Sequence, residues 1–418
     1  MTPTTGRDVQ PKVVPPLRVV LVTGEFPPMQ GGVGDYTREL ARALSHLGHT
    51  ISVVTSVKGT WSEPGINVFP VIKTWNWSCW GKIMHVCSDA QADVLHIQYQ
   101  TAAYGMHPAI NLLPLRLRFS AHHPGMVITY HDLRVPYLFP KAGPARRWLT
   151  NGPARWCDAA VVTNVEDCTQ LSKAGLLFHL IPIGSNISTD LPEGYDRAAW
   201  RARLGVGPDQ TLLCYFGFLN ETKGGETLLH ALWDLLSQNR AVKLVMIGGQ
   251  VGDSDPTNAA YLVRIKKLID DLRLTDHVVW TGFTSDADVS ANLLASDIAV
   301  LPYRDGASYR RGSFMAALSH GLPIVTTRGP GTIALSSMPN VALDTNLPGL
   351  TDGDNVLLVP PDDAGSTARA IIRLMANPAL RQRLSARTRN LAQQFSWDSI
   401  ARRTAEVYQT AVAKKAGK

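Results

Sequence analysis

Residues 18–34 read RVVLVTGEFPPMQGGVG, and the order of patterns in this stretch decides the fold. The β-branched run over 18–22 predicts a buried strand, and the glycines that follow open a predicted helix over Val33–Leu47. Residues 212–225, LLCYFGFLNETKGG, begin the same order of strand, glycine turn and helix a second time. Short apolar runs alternate with helical patterns after both stretches, which is typical of βαβ units around parallel sheets. We therefore predict two doubly wound α/β domains.

The length and composition agree with this prediction. The 418 residues are 45% hydrophobic and 18% charged, which is ordinary globular composition. The five cysteines are scattered and form no CxxC pair, so we expect buried thiols in a reducing compartment rather than a zinc site or a disulfide framework. No run approaches the roughly 20 apolar residues that cross a bilayer, and residues 1–16 do not resemble a signal peptide. We expect a cytoplasmic protein.

The net charge of +7 is concentrated in the first half of the chain. Residues 1–188 carry 16 Lys and Arg against 11 Asp and Glu, whereas the remainder carries 25 against 23. This distribution suits anionic partners such as a membrane surface, and no pattern indicates DNA or RNA binding. Residues 141–156 combine four cationic residues with two tryptophans, a pattern compatible with peripheral contact at the inner membrane face. A solvated helix face is the simpler alternative.

The loop after the first predicted strand is the first candidate site. Its glycines Gly31, Gly32 and Gly34 allow the backbone to approach an anion at the positive end of the next helix. A dinucleotide is not favoured, because the GxGxxG spacing is absent and the second strand ends in Thr55 and Ser56 rather than in an acid. A sugar or anion contact is the preferred interpretation, with an ordinary turn as the alternative.

His131 and Asp132 form the second candidate, at the end of a predicted strand over 127–130. Open α/β sheets bind ligands at the carboxyl ends of their strands, and an imidazole beside a carboxylate suits proton chemistry there. A single pair of this kind is a weak signal. His96 lies within an apolar run and is predicted to be a core histidine.

Two loops of the second half carry cationic side chains after predicted strands. Lys223 follows the turn that begins at Gly217, and lysine supplies a flexible positive charge suited to a diphosphate. Residues 302–313, PYRDGASYRRGS, combine hydroxyls, an acid and two adjacent arginines, whose planar guanidinium groups match phosphate oxygens. Ser313 is predicted to cap the helix that follows. The alternative for both loops is a solvated, exposed charge cluster.

Two weaker patterns stand apart from these loops. The sequence Asp253-Ser254-Asp255 has the DxD form of a divalent-metal site, but a polar loop of this kind recurs by chance. Residues 75–80, WNWSCW, are expected to pack mainly in the core, with an exposed contact surface as the alternative.

In this order, the loops resemble those of the retaining glycosyltransferases of family 4, which have the GT-B fold. In that fold, two Rossmann-like doubly wound domains face each other across a cleft, and a C-terminal helix returns to the N-terminal domain. The resemblance covers residues 17–412 and implies an acceptor-side domain over 1–188, joined by the helix at 398–418, and a donor domain over 189–397. The motifs that carry it are the loop 24–34, His131-Asp132, Ile183-Gly184-Ser185-Asn186, Gly217 with Lys223-Gly224, Gly282-Phe283, Ala295-Ser296-Asp297, residues 320–325 (HGLPIV) and Phe395-Ser396-Trp397.

The resemblance implies transfer of a sugar, with retention at the reacting carbon, from a nucleoside diphosphate sugar to a glycan, lipid-linked or small-molecule acceptor. The nucleotide sugar is a co-substrate, and neither a cofactor nor a metal is implied. His131, Asp132 and Lys223 are then the catalytic candidates, and Gly31 and Gly32 face the acceptor. The candidate donor-binding residues are Gly32, Gly34, Gly217, Phe218, Lys223, Asp305, Ser308, Arg310, Arg311, Gly312 and Ser313.

Two departures from the family pattern affect the donor site. The arginine that usually precedes the diphosphate lysine falls near Phe218, and the usual Glu-x7-Glu pair falls on Ser308 and Ala316. We hypothesise that the loop 305–313 compensates: one of its two arginines replaces the missing cation, and Asp305 or Ser308 contacts the sugar. A non-catalytic GT-B scaffold that has lost donor binding is the alternative, and a phosphorylase or sugar epimerase of the same fold is a third.

Overall fold

The computed structural model describes residues 15–29, 31–120, 123–133, 143–249, 256–329 and 348–416. The chain divides into two compact units. Unit 1 contains the chain up to Ile181 and the residues from Ile400 onward, and unit 2 contains the described residues between Pro182 and Ser399. The sequence pattern places this boundary slightly further along the chain, after residue 188.

Unit 1 is built on a sheet of seven parallel strands. The strands are β1 Arg18–Thr23, β2 Thr50–Ser56, β3 Ile66–Ile72, β4 Val94–Gln100, β5 Gly125–Asp132, β6 Ala159–Val162 and β7 His179–Leu180. Their order across the sheet is β3-β2-β1-β4-β5-β6-β7, so the direction of winding reverses between β1 and β4. The helices that connect them are α1 Gly32–His46, α2 Cys79–Asp89, α3 Ala109–Arg118, α4 Gly143–Trp156 and α5 Val165–Lys173.

Unit 2 repeats this architecture with six parallel strands. The strands are β8 Thr211–Phe216, β9 Val242–Ile247, β10 Val278–Gly282, β11 Ile298–Leu301, β12 Ile324–Thr327 and β13 Leu357–Val359. Their order is β10-β9-β8-β11-β12-β13, with the reversal between β8 and β11. The helices are α6 Arg197–Arg203, α7 Gly225–Ser237, α8 Pro256–Asp271, α9 Asp286–Ala295, α10 Gly312–Ser319, α11 Ala364–Ala376 and α12 Pro378–Gln393.

The last helix, α13 Trp397–Ala416, returns to unit 1 as predicted. Ser396 begins it, because its hydroxyl accepts a hydrogen bond from the Ser399 amide at 3.2 Å. Further along, Arg403 donates to the carbonyl oxygen of Leu180 at 2.6 Å. Lys414 donates to the carbonyl oxygen of Asp158 at 2.9 Å. These contacts fasten the end of the chain to the β6 and β7 side of the sheet in unit 1.

The buried residues confirm most of the core assignment. The central strands of both sheets are covered on both faces, as expected for parallel sheets, whereas the edge strands β3 and β10 are partly exposed. All five cysteines are buried free thiols. In the cluster 75–80, Trp75 packs edge-on against the buried Tyr104 at 4.7 Å between ring centroids, whereas Trp77 keeps 48% of its surface exposed. None of the helices in the described ranges is long and apolar enough to cross a membrane.

Candidate functional site

The predicted site residues lie at the carboxyl ends of strands, beside the point where each sheet reverses. In unit 1, the glycine loop follows β1 and His131 ends β5, and β4 lies between these two strands. In unit 2, the loop 217–224 follows β8 and the loop 302–311 follows β11, and these two strands are neighbours. Each reversal leaves a crevice above the sheet, which is where open α/β sheets bind their ligands.

The loop after β8 folds back on itself, so that Lys223 lies beside Gly217, where the loop begins. Gly217 has a φ of 107°, and a Cβ placed on it would lie 3.1 Å from the Lys223 ammonium nitrogen. Gly224 has a φ of 69°, and a Cβ there would overlap the carbonyl oxygen of Pro302. Other residues rarely adopt the backbone conformation of either position, and at Gly224 a side chain would also have no room, so glycine is favoured at Gly217 and required at Gly224. The two glycines place the lysine close to the turn and to the loop after β11.

The loop after β11 contributes Arg311, which keeps only 11% of its side chain exposed. Its guanidinium lies over the ring of Tyr303, 4.2 Å from the centroid, and forms a hydrogen-bonded ion pair with Asp305. Its Nε is buried and has no hydrogen-bond partner within the described residues. A buried N–H without an acceptor is costly, so this group is suited to an oxygen supplied by a ligand.

The positive charge of Arg311 acts electrostatically on Lys223. Burial and, as the smaller cause, the positive charge of Arg311 together lower the pKa of Lys223 to about 8. In the described part of the chain, no carboxylate forms an ion pair with Lys223, whereas Arg311 is paired with Asp305. We call Lys223 and Arg311 the cation pair. Because, among the residues that the structure describes, only Arg311 of the two has a carboxylate partner, the cation pair keeps an excess of positive charge that an anion would neutralise.

The structure corrects the role predicted for Ser313. The helix α10 begins at Gly312 with Arg311 in the N-cap position and no side-chain cap, so Ser313 is not the cap. Its hydroxyl instead lies 2.7 Å from the hydroxyl of Tyr303, and its Cβ borders Gly217. Ser313 thus joins the two loops of unit 2.

Three other predicted donor residues lie around the cation pair without joining it. Ser308 accepts a hydrogen bond from the Arg310 amide at 3.4 Å. The Arg310 guanidinium lies 3.6 Å from the carboxylate of Asp305 and keeps 32% of its side chain exposed. Phe218 is 42% exposed and borders Gly249. Of the two arginines in this loop, Arg311 is the one whose charge lowers the pKa of Lys223.

The glycine loop of unit 1 contains a residue that the sequence analysis missed. Glu25 turns back so that its carboxylate accepts hydrogen bonds from the amides of Val33 at 3.1 Å and Gly34 at 3.4 Å. A Cβ on Gly31 would overlap this carboxylate, whereas one on Gly32 would meet open space. Glu25 therefore occupies the anion-binding end of α1. The predicted approach of a phosphate to these glycines requires the carboxylate to move away or to become protonated, and burial does raise its pKa.

His131 lies at the end of β5 beside the first helix. Its ring packs edge-on against Tyr36 of α1, with 4.5 Å between ring centroids. Its Nε2 donates to the side-chain oxygen of Gln98 at 2.9 Å. Burial lowers the pKa of His131 to about 3, so the imidazole is neutral at physiological pH. The adjacent Asp132 has no ion pair with His131 and follows it on the same strand.

No metal centre is formed by the part of the chain that the structure describes: no three His, Cys, Asp or Glu side chains come together there. The predicted DxD sequence at 253–255 lies outside the described residues.

Residues 196–391 match the family described as glycosyl transferases group 1, and residues 30–184 match glycosyltransferase family 4. This chain belongs to the group 1 and family 4 glycosyltransferases. Over 411 residues, this glycosyltransferase is 24% identical to a phosphatidyl-myo-inositol mannosyltransferase from Mycolicibacterium smegmatis, covering 91% of this chain and 90% of that relative.

Two further comparisons concern length and fold. The glycosyltransferase is 29% identical over 246 residues to a D-inositol 3-phosphate glycosyltransferase from Kineococcus radiotolerans, covering 57% of this chain and 52% of that relative. It thus spans about half the length of the first curated relatives that it matches. A solved structure of Anabaena HepE in complex with UDP and glucose superposes with a TM-score of 0.69 and 17% identity, covering 94% of this chain and 100% of that chain. This likeness shows the GT-B fold.

Proposed function

We propose that the protein transfers a glycosyl group, with retention at the reacting carbon, from a nucleoside diphosphate sugar to an acceptor hydroxyl. The observation that carries the proposal is the cation pair of Lys223 and Arg311 at the reversal point of the unit 2 sheet. Negative charge grows on the departing diphosphate as its bond to the sugar breaks. Cations that are already fixed in place stabilise that charge more in the transition state than in the ground state. The binding of UDP and glucose by the structural relative HepE supports a donor of this class.

We further propose that the reaction needs no metal ion. Many diphosphate-cleaving enzymes neutralise the leaving group with a divalent cation, which contributes two positive charges. Lys223 and Arg311 supply two positive charges from side chains, and the buried Nε of Arg311 supplies a hydrogen-bond donor that has no acceptor among the described residues. Asp305 holds the Arg311 guanidinium in place and reduces the net charge of the empty site.

We assign both the acceptor site and the contact to the transferred sugar to unit 1. His131 is neutral, so it recognises sugar hydroxyl groups by hydrogen bonds rather than by charge. The exposed end of the loop at Gly32 has space for a ligand, since no atom lies within 4 Å of a Cβ placed there. Inositol, inositol phosphates and phosphatidylinositol are the first acceptors to test, because the two curated relatives are named for such compounds.

The experiment that tests the proposal combines binding with turnover. A panel of UDP-, GDP- and ADP-sugars is screened for thermal stabilisation, since a ligand of the folded state raises its melting temperature. Transfer to the inositol acceptors is then measured with the best donor, and proton NMR of the product reports the anomeric configuration. Lys223→Met is expected to lower kcat/KM by about 100- to 1000-fold. The matched control is Arg304→Gln, which removes an exposed cation that pairs with Asp362.

The outcomes separate the proposal from its alternatives. Retained turnover in Lys223→Met would contradict the role of the cation pair. If no nucleotide sugar stabilises the protein, the scaffold interpretation replaces the enzyme. Products formed without an added acceptor would indicate a phosphorylase or an epimerase.

We also propose peripheral contact with an anionic membrane through one face of unit 1. Arg147, Trp148 and Arg155 of α4 are exposed, and Phe119 at the end of α3 has 78% of its surface exposed. The two helices are tied together, because Arg118 donates to the carbonyl oxygen of Trp156 at 2.7 Å. Exposed aromatic rings beside arginines are the composition that binds the interface of anionic bilayers.

Vesicle binding tests this contact. Co-sedimentation with phosphatidylglycerol vesicles is expected at low salt and is expected to fall at high salt, because screening weakens the attraction of the arginines to the surface. Trp148→Ala should weaken binding, whereas Trp233→Ala removes a tryptophan of similar exposure from unit 2 and should not. Equal binding by both variants, or no binding at low salt, would contradict the proposal.

A further inference from the structure

A row of polar side chains runs from the last helix to His131. The Tyr408 hydroxyl lies 2.7 Å from Nδ1 of His96, and the amide nitrogen of Gln98 lies 3.3 Å from both ring nitrogens of His96. The amide oxygen of Gln98 then lies 2.9 Å from Nε2 of His131. Tyr408, His96 and Gln98 are fully buried. We call these four side chains the polar row, and their contacts hold one another in a single arrangement.

The oxygen of Gln98 decides which nitrogen of His131 carries the proton. An amide oxygen only accepts hydrogen bonds, so the neutral imidazole must donate from Nε2. Its Nδ1 then keeps its lone pair, and no hydrogen-bond partner for this atom lies within the described ranges. A ring held in this way offers an acceptor to an approaching hydroxyl group, which is the most common polar group of a sugar.

The other groups around His131 do not fix its tautomer. Tyr36 contacts the ring in a T-shaped aromatic arrangement, which involves neither ring nitrogen as a hydrogen-bonding group. Burial accounts for the lowered pKa of His131, and no neighbouring charge adds to it. The titratable groups beside His131 are Tyr36 on α1, His96 on β4 and Asp132, the next residue of β5. Arg403 and Tyr408 of α13 interact electrostatically with Tyr36.

We propose that Gln98 is the positioning residue for His131 in glycosyl transfer. It accepts the Nε2 proton and thereby fixes one tautomer and one ring orientation, so that Nδ1 accepts a hydrogen bond from a hydroxyl of the bound sugar. The Gln98 amide lies against the ring of His96, and that ring is itself held at 2.7 Å by the hydroxyls of Tyr408 and Thr129. The last helix therefore takes part in the site although Tyr408 lies 312 residues from His96 in sequence. The inference rests on the proposed function, because that function assigns His131 to the transferred sugar.

The first test is the tautomer of His131 in the wild-type protein. Nitrogen-15 labelled histidine is incorporated, and the His131 resonances are assigned by their loss in His131→Gln. The two-bond nitrogen–proton correlation pattern distinguishes a protonated Nε2 from a protonated Nδ1. We expect protonated Nε2 throughout pH 6–8. A protonated Nδ1, or a mixture of both tautomers, would overturn the proposal, whether or not a substrate is known.

The second test changes Gln98. Gln98→Met keeps the length of the side chain but removes the acceptor, so the tautomers of His131 should mix and kcat should fall about 10- to 100-fold with little change in the KM of the donor. Gln98→Glu places a carboxylate against Nε2, so the pKa of His131 should rise and an acidic limb should appear in the pH profile. The matched control is Gln170→Met, which removes an amide that donates to Asn151 in the same unit but does not contact His131.

These outcomes separate the inference from the function on which it rests. If the wild type transfers sugar and Gln98→Met matches Gln170→Met in both tautomer and kcat, the positioning role is wrong and the proposed function stands. If protonated Nε2 is found but the wild type transfers no sugar from any nucleotide sugar, the proposed function fails and only the contact between Gln98 and His131 remains.

Discussion

Replacing Arg311 by Gln is the sharpest single perturbation of the cation pair. The change keeps a polar side chain of similar reach but removes the positive charge that stands beside Lys223. A cation fixed against the leaving diphosphate contributes about 2–4 kcal/mol of transition-state stabilisation. We therefore expect kcat/KM to fall by roughly 30- to 900-fold at pH 7.

The same change should move the pH dependence. Burial is the larger cause of the lowered pKa of Lys223 and the charge of Arg311 is the second cause, so Arg311→Gln should raise this pKa above about 8 without restoring the ordinary lysine value. The wild-type kcat/KM should fall as the pH rises through about 8, because the ammonium loses its charge. In Arg311→Gln this alkaline limb should lie at higher pH.

The assay is kcat/KM measured from pH 6 to pH 10, with Arg304→Gln as the control. Arg304 lies on the same loop but pairs with Asp362 and Glu221, so its loss should leave both the rate and the limb unchanged. An alkaline limb that stays in place in Arg311→Gln would refute the coupling between the two cations. An unchanged rate would refute the role of Arg311 in stabilising the leaving group.

The lowered pKa of Lys223 also has a consequence for stability. The unfolded chain binds the lysine proton more tightly than the folded chain does. Between pH 8 and the ordinary lysine pKa, the unfolded state therefore holds more protons, and the free energy of unfolding of the ligand-free protein should rise with pH in this window. Lys223→Met should remove this slope in urea titrations, and a slope of the same size in the variant would contradict the assignment.

Three further predictions concern the scaffold and the chemistry. Gly224→Ala should lower the free energy of unfolding by about 3 kcal/mol in urea titrations, since a Cβ would overlap a carbonyl oxygen at a φ of 69°, whereas Gly81→Ala in open space within α2 should not be destabilising. Asp297→Ala should cost about 3 kcal/mol because it removes the carboxylate that neutralises the largely buried Arg201, and Asp271→Ala in an exposed pair should cost about 1 kcal/mol or less. EDTA should leave turnover unchanged, and activity that returns only with added Mg²⁺ would contradict the metal-free assignment.

The alternation of strands and helices was predictable from the sequence where the strands are buried on both faces. β1 and β8 are mainly apolar runs, and their boundaries agree with the prediction to within about two residues. β3 was not predicted, because Ile66–Ile72 lies at the sheet edge, is half-exposed and contains a proline. α3 was missed because Pro114 interrupts its pattern, whereas the helix face considered for residues 141–156 corresponds to α4.

The candidate site was predictable only in part, because its contacts join residues that are distant in sequence. The strand order brings the loops after β8 and β11 together, so the neighbourhood of Lys223 and residues 305–313 follows from the fold class. Which arginine faces Lys223 depends on backbone detail, and so does the failure of Ser313 to cap its helix. Glu25 lies close in sequence to the amides that it binds. The sequence alone does not distinguish a glutamate that binds helix amides from one that is exposed to solvent.

Calorimetric titration with nucleoside diphosphates tests the cation pair most directly, because it measures the anion site without requiring the sugar or the acceptor. The wild-type protein should bind at least one of UDP, GDP and ADP, and should bind the corresponding monophosphate more weakly. Lys223→Met should abolish the preference for the diphosphate. Equal binding of mono- and diphosphate by the wild type, or an undiminished preference in Lys223→Met, would show that the diphosphate does not bind at Lys223 and Arg311.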